Sequence, residues 1–175
     1  MSSIDTSLLP SAADVTQYRE QGWYISGSLF TDAELDAAIE ASERYYAALD
    51  GPEIDLPNGR TYHLAWSLAV GAHRLRKNDY ATLVVPELDA LLKKPVLGAI
   101  GALLAGEDVR LWHDQLLYKP PSPPDAPQAV GWHTDFGYWR TCSNPDMLTA
   151  WVPFTDVDEG IGTITFIDGS HRWPE

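Results

Sequence analysis

The first half of the chain carries apolar residues at helical spacing. Behind Thr31-Asp32-Ala33-Glu34, a capping-box pattern, Leu35, Ile39, Ser42, Tyr46 and Leu49 recur every third or fourth position. This predicts a helix that ends by Gly51-Pro52, with a loop following through Gly59. Ser11-Ala12-Ala13-Asp14 is a similar start with aspartate in the glutamate slot, and Gly22 is its stop. Pro86 suits a first helical position, so Glu87 to Lys94 reads as helix, and Pro95 to Leu104 as a second short one. Trp23 to Phe30 is aromatic and partly β-branched and reads as a strand. After Gly106 the texture shifts toward strands: Val109 to Lys119, Gly131 to Trp139, Met147 to Phe154 and Ile161 to Ile167. The stiff Pro120-Pro121-Ser122-Pro123-Pro124 loop separates the first two, and turns at Asp156-Val157-Asp158-Glu159-Gly160 and Asp168-Gly169-Ser170 punctuate the last ones. A single domain over 1–175 is expected, with a mostly helical part over 1–106 leading into a β-barrel or jelly roll over 107–175.

Composition narrows the partners. The 175 residues hold 12 lysines and arginines against 25 aspartates and glutamates, a net charge of −13. Such a surface repels phosphate backbones, so neither nucleic acid nor an anionic membrane is expected. The longest mostly apolar run, Pro95 to Gly106, falls well short of the ~20 residues that span a bilayer. Met1-Ser2-Ser3-Ile4-Asp5 lacks the basic and apolar regions of a signal peptide. One cysteine, Cys142, excludes an internal disulfide and fits a reducing compartment. A soluble cytoplasmic protein is the expectation.

The most informative segment is Trp132-His133-Thr134-Asp135-Phe136. Side chains at i and i+2 of a strand leave the same face, so His133 and Asp135 are predicted to project together. An imidazole and a carboxylate side by side are two-thirds of the facial triad of a non-haem Fe(II) site, which leaves three positions open. The tripeptide alone is a weak signal, because three-residue patterns recur by chance, and the bland reading is a hydrogen-bonded His–Asp pair on a solvated face.

The wider context resembles the phytanoyl-CoA dioxygenase family. Gln115-Leu116-Leu117-Tyr118-Lys119-Pro120-Pro121, Trp132-His133-Thr134-Asp135, Leu148-Thr149-Ala150-Trp151-Val152-Pro153-Phe154, the Asp156–Gly160 turn and Gly169-Ser170-His171-Arg172 stand in the family's order. The likeness runs from about residue 108 onward, with a weaker one over Tyr18 to Phe30. It implies a mainly β fold, a double-stranded β-helix of the jelly-roll or cupin-like kind behind N-terminal helices. It also implies Fe(II) as cofactor, 2-oxoglutarate and dioxygen as cosubstrates, and hydroxylation of a small organic molecule. His133 and Asp135 match the first two iron ligands. Gln115 matches a 2-oxoglutarate contact, Trp151 an aromatic wall of that pocket, and Thr134 a lesser contact. Gln115 as a solvent-facing strand residue and Trp151 as an ordinary core tryptophan are the bland alternatives.

The pattern also departs from the family. Its third ligand, a histidine well beyond the Gly-Ser-His turn, and the arginine that follows have no counterpart. His171 is the one later histidine, and its Gly169-Ser170 neighbours favour a turn role. About four strands follow Gly106, where a closed double-stranded β-helix has roughly eight. The expectation is therefore an incomplete β-helix, whether as a fragment, a shortened relative or a chain completed by something else. Such a chain by itself is expected to be inactive or nearly so, and to self-associate through an open sheet edge. A non-catalytic β-barrel module is the competing reading, and a cupin-like site of His133, Asp135 and His171 a third. Among the other candidates, His113 shares the face of Gln115 as a core or outer-sphere histidine. His63 and His73 suggest no site, Lys119 reads as solvated, and Cys142 has no paired histidine. On a strand, Trp139 would share the ligand face while Trp132, Phe136 and Tyr138 pack away from it.

Overall fold

The computed structural model describes residues 4–47, 53–55, 59–63, 75–121, 130–139, 142–143 and 146–173. Its elements are α1 (Ala12–Gln21), α2 (Asp32–Ala47), β1 (Glu53–Asp55), β2 (Thr61–His63), β3 (Arg76–Asp79), α3 (Pro86–Leu92), α4 (Pro95–Ala105), β4 (Gln115–Tyr118) and α5 (Asp135–Tyr138). Short 3-10 turns cover Thr6–Leu8, Ala81–Leu83 and Ser170–Arg172. These elements divide into two compact units. One comprises Met1–Leu29, Lys94–Arg110 and Val130–Glu175; the other comprises Phe30–Lys93 and Leu111–Ala129.

In the first unit α1 begins where the Ser11 hydroxyl accepts the Asp14 amide at 3.2 Å and the Asp14 carboxylate accepts the Ser11 amide at 2.8 Å. The Ser11 hydroxyl, and then its amide, hold the Asp14 carboxyl below the usual carboxylate value. Proline opens α4 at its first turn and left-handed Gly106 closes it. One face of α4, Val96, Ile100 and Leu104, is buried against Leu8, Leu9, Val15, Tyr18, Tyr24 and Leu29. Each such aliphatic side chain contributes ~1.5–3 kcal/mol when fully removed from water. The Gly169 turn docks on the end of α1. The Gly169 amide donates to the Gln21 carbonyl at 2.8 Å, and the Trp23 indole donates to Asp168 Oδ1 at 2.8 Å. Trp23 also stacks on Phe166, with ring centroids 6.3 Å apart.

In the second unit the Thr31–Glu34 capping box starts α2: the Thr31 amide donates to Glu34 Oε2 at 2.8 Å, and the Glu34 amide to the Thr31 hydroxyl at 3.3 Å. The face of α2 that is buried is Ala38, Ala41, Ser42 and Tyr45, rotated from the expected stripe, with Ser42 common to both. Small alanines allow close approach of α3, whose Leu88 and Leu91 are buried. Strands β3 and β4 pair antiparallel, from Arg76 opposite Tyr118 to Asp79 opposite Gln115, and β1 pairs with β2. The Arg76 guanidinium lies 5.3 Å from the Tyr46 ring and 5.5 Å from that of Tyr118. Burial, and less so Tyr45, push the Tyr46 phenol above its ordinary value, with Arg76 opposing.

Several expected strands are not strands. Residues 23–29 form no strand, and the Trp23 side chain ties the segment to Asp168. Val109–Lys119 shortens to β4, since its partner β3 has four residues. Residues 146–153 have no regular structure, and Ile161 opens a turn in which the Asp158 carbonyl accepts the amides of Ile161, Gly162 and Thr163. Among the described residues the strands thus form two two-stranded ladders, and no double-stranded β-helix is formed there. The end of α2 near Gly51-Pro52 and the centre of the proline loop, 122–124, lie outside the described residues. No described helix is long and apolar enough to cross a membrane.

Gly22 tests the docked turn. Its φ is +90°, and a Cβ there would lie 2.3 Å from His171 Nδ1. Gly22→Ala is expected to cost more than the roughly 1–2 kcal/mol that left-handed backbone imposes on an L residue. In a His171→Ala background the cost is expected to fall back into that range. Equal costs in both backgrounds, measured by urea unfolding, would contradict the contact.

Candidate metal centre

The segment that carries His133 and Asp135 is a capped turn, not a strand. The Thr134 hydroxyl accepts the Gly137 amide at 3.3 Å and opens α5, so Thr134 is an N-cap with Asp135 at the first helical position. A threonine here offers the backbone a local partner that competes with any ladder. Gly137 leaves room for this cap, since a Cβ there would lie 3.3 Å from the hydroxyl.

The turn nonetheless brings the imidazole and the carboxylate together. His133 Nε2 lies 3.6 Å from Asp135 Oδ1, and both side chains are about one-third exposed, at 36% and 31%. The other atom of each group is engaged. His133 Nδ1 is 2.7 Å from the Gly131 carbonyl, an acceptor, so Nδ1 is the donor of that bond, and in the neutral ring Nε2 carries the lone pair. The Thr149 hydroxyl donates to Asp135 Oδ2. The Nε2 atom and a carboxylate oxygen therefore face one another. Their separation exceeds the 2.7–3.2 Å of an ordinary N–H···O bond. It also exceeds the ~3 Å edge spanned by two ligands at about 2.1 Å from one divalent ion at a right angle, so the two side chains would close by roughly 0.6 Å to share one. The donor set fits Fe(II), which accepts imidazole nitrogen and carboxylate oxygen together.

The surroundings differ from the strand picture. Tyr138, expected to point away, sets its ring edge-on to His133 at 5.3 Å between centroids. Trp132 is exposed rather than in the core, and Trp151, in the same unit, is 39% exposed. Gln115 belongs to the second unit, where its amide donates to Asp79 Oδ1 at 2.8 Å; His113 Nε2 stands 3.3 Å from the same oxygen. His171 Nε2 lies 3.2 Å from the Arg19 carbonyl, and no described group of three His, Cys, Asp or Glu side chains includes it with His133 and Asp135. His73 and the side chain of His63 lie outside the described residues. Thr149 was not singled out from the sequence, and Tyr138 was placed on the opposite face. The signal for Thr149 was its place two residues before Trp151, on the same side of an extended segment.

The family model for phytanoyl-CoA dioxygenase matches residues 18–175. The chain is 24% identical over 156 residues to a probable alpha-ketoglutarate-dependent hypophosphite dioxygenase of Stutzerimonas stutzeri, covering 89% of this chain and 52% of that protein. It is 26% identical over 165 residues to the ectoine dioxygenases of Bordetella parapertussis and Bordetella bronchiseptica, covering 93% of this chain and 50% of each. The chain spans about half the length of these curated relatives. No solved structure matches it at a significant level.

The cap is checked by substitution. Thr134→Ala is expected to lose about 1 kcal/mol of stability, and Thr134→Ser to lose little. Chemical denaturation measures both; no loss in the alanine variant would contradict the capped turn.

Proposed function

Because the chain belongs to the phytanoyl-CoA dioxygenase family, we propose that it is an Fe(II)- and 2-oxoglutarate-dependent dioxygenase acting on a small molecule. Members of this family are jelly-roll proteins that use both the metal and the keto acid. The observation that carries the proposal here is the facing pair: His133 Nε2 and Asp135 Oδ1, 3.6 Å apart, each the free end of a group whose far end is hydrogen bonded. His133 and Asp135 would hold the iron. When bound, ferrous iron couples the oxidative decarboxylation of 2-oxoglutarate to succinate and carbon dioxide with transfer of one oxygen atom of dioxygen to the substrate.

The protein's own contribution is orientation. The Gly131 carbonyl keeps His133 in the tautomer that presents Nε2. The Tyr138 ring packs edge-on against that imidazole and helps to set its plane. Trp151 offers a flat apolar wall, and Thr134 places the carboxylate by capping its helix. Gln115 enters the proposal through the family resemblance. The relatives are named for hypophosphite and ectoine, small molecules rather than acyl-CoA thioesters. The net charge of −13 likewise disfavours a phosphate-rich coenzyme A substrate. Hydroxylation of a small organic molecule is the reading we adopt.

The second reading, a β-module without catalysis, has one observation in its favour. No described group of three His, Cys, Asp or Glu side chains is placed to hold a metal. A site of two protein ligands binds iron weakly, so slow or absent turnover by these 175 residues is what this second reading expects. Anaerobic Fe(II) with 2-oxoglutarate should still give a weak visible charge-transfer band, abolished by His133→Ala and by Asp135→Ala. A band that survives either change removes that residue from the site. Absence of the band in the unaltered chain would favour the non-catalytic module.

A further inference from the structure

Thr149 is the residue in this neighbourhood to which nothing above gives a chemical role. It lies in a stretch without regular structure, fourteen positions beyond Asp135, yet its hydroxyl donates to one particular atom, Asp135 Oδ2. The other carboxylate oxygen, Oδ1, is the one turned toward His133 Nε2. We infer that Thr149 is a positioning residue that keeps Asp135 a one-oxygen metal ligand, so that the keto acid finds both of its coordination positions open. The inference rests on the proposed metal-binding role of His133 and Asp135.

In a facial set, where a third protein ligand would join His133 and Asp135, three positions are left, of which an α-keto acid would take two and dioxygen one. A carboxylate binds a hard cation through one oxygen or through both. The torsion that decides between them, χ2 of aspartate, is broad and weakly restrained by itself. If Oδ2 turned onto the metal it would take a position that the keto acid needs. A hydroxyl donating to Oδ2 restrains that rotation and leaves Oδ1 as the metal-facing atom. Threonine suits the task because its β-branch restricts χ1, so the hydroxyl stays aimed. The Gly131 carbonyl does the matching work at the imidazole. Both groups of the pair thus have one atom anchored and one presented.

A purely structural hydrogen bond would give a different signature from a positioning one. The test uses the full 175-residue chain with Mn(II) as the probe, bound metal being read by the loss of the free-ion electron paramagnetic resonance signal. 2-Oxoglutarate affinity is then titrated on the Mn(II)-loaded protein. Thr149→Val removes the donor at nearly constant shape, Thr149→Ala is a second donor-free variant, and Thr149→Ser restores the donor. The expected result is that Val and Ala bind Mn(II) within about threefold of the unaltered chain but bind 2-oxoglutarate about tenfold more weakly, with Ser close to normal. Unchanged 2-oxoglutarate affinity in the folded Val or Ala variant would overturn the inference while leaving the metal site standing. So would equal losses for metal and keto acid. If the unaltered chain binds no Mn(II), or binds it as well after His133→Ala, the proposed site itself fails and the inference with it.

Discussion

A single side-chain hydroxyl sets the geometry on which the functional reading depends. Thr134 accepts the Gly137 amide and turns the chain directly after His133. Without that turn, residues 133 and 135 would be two extended neighbours whose distance depended on a sheet around them. With it, the imidazole and carboxylate approach to 3.6 Å within one short loop, and no ladder is required. The cap contributes ~1 kcal/mol, modest beside core burial. Its consequence is large because two chemically matched groups hang on either side of it.

The pair is also defined by what its outer atoms do. Gly131 engages Nδ1 and Thr149 engages Oδ2, so the inner atoms, Nε2 and Oδ1, are left to face each other. In the neutral ring with its hydrogen on Nδ1, Nε2 is an acceptor, and a divalent cation would join it to the carboxylate oxygen. Iron in particular suits a mixed nitrogen and oxygen donor set. Membership of the phytanoyl-CoA dioxygenase family gives the same metal from an independent direction.

How much of this was legible in the sequence follows the range of the interactions. Helix ends are written locally: Ser11 with Asp14, Gly22, Thr31 with Glu34, Pro86, Pro95 and Gly106 place four helices closely. The buried stripe of α2 was less legible, because alanines at 38 and 41 are buried where larger residues drew attention. Strands depend on partners far away, and β3, Arg-Lys-Asn-Asp, has no apolar alternation to announce it. His133 and Asp135 were legible as a pair, though through strand alternation, whereas a helix cap brings them together. Their hydrogen-bond partner Thr149 acts across fourteen residues, and only its place two residues before Trp151 marked it. The Gly-Ser-His turn was legible as a turn, and its contact with the Arg19 carbonyl explains where His171 is used.

The central claim is that one divalent ion sits between His133 and Asp135. Anomalous diffraction from crystals of this chain grown anaerobically with Mn(II) tests it most directly. The account predicts a peak bonded to both His133 Nε2 and Asp135 Oδ1, with Asp135 Oδ2 still on the Thr149 hydroxyl. A manganese peak elsewhere in the chain, with the two side chains unbridged, would contradict it.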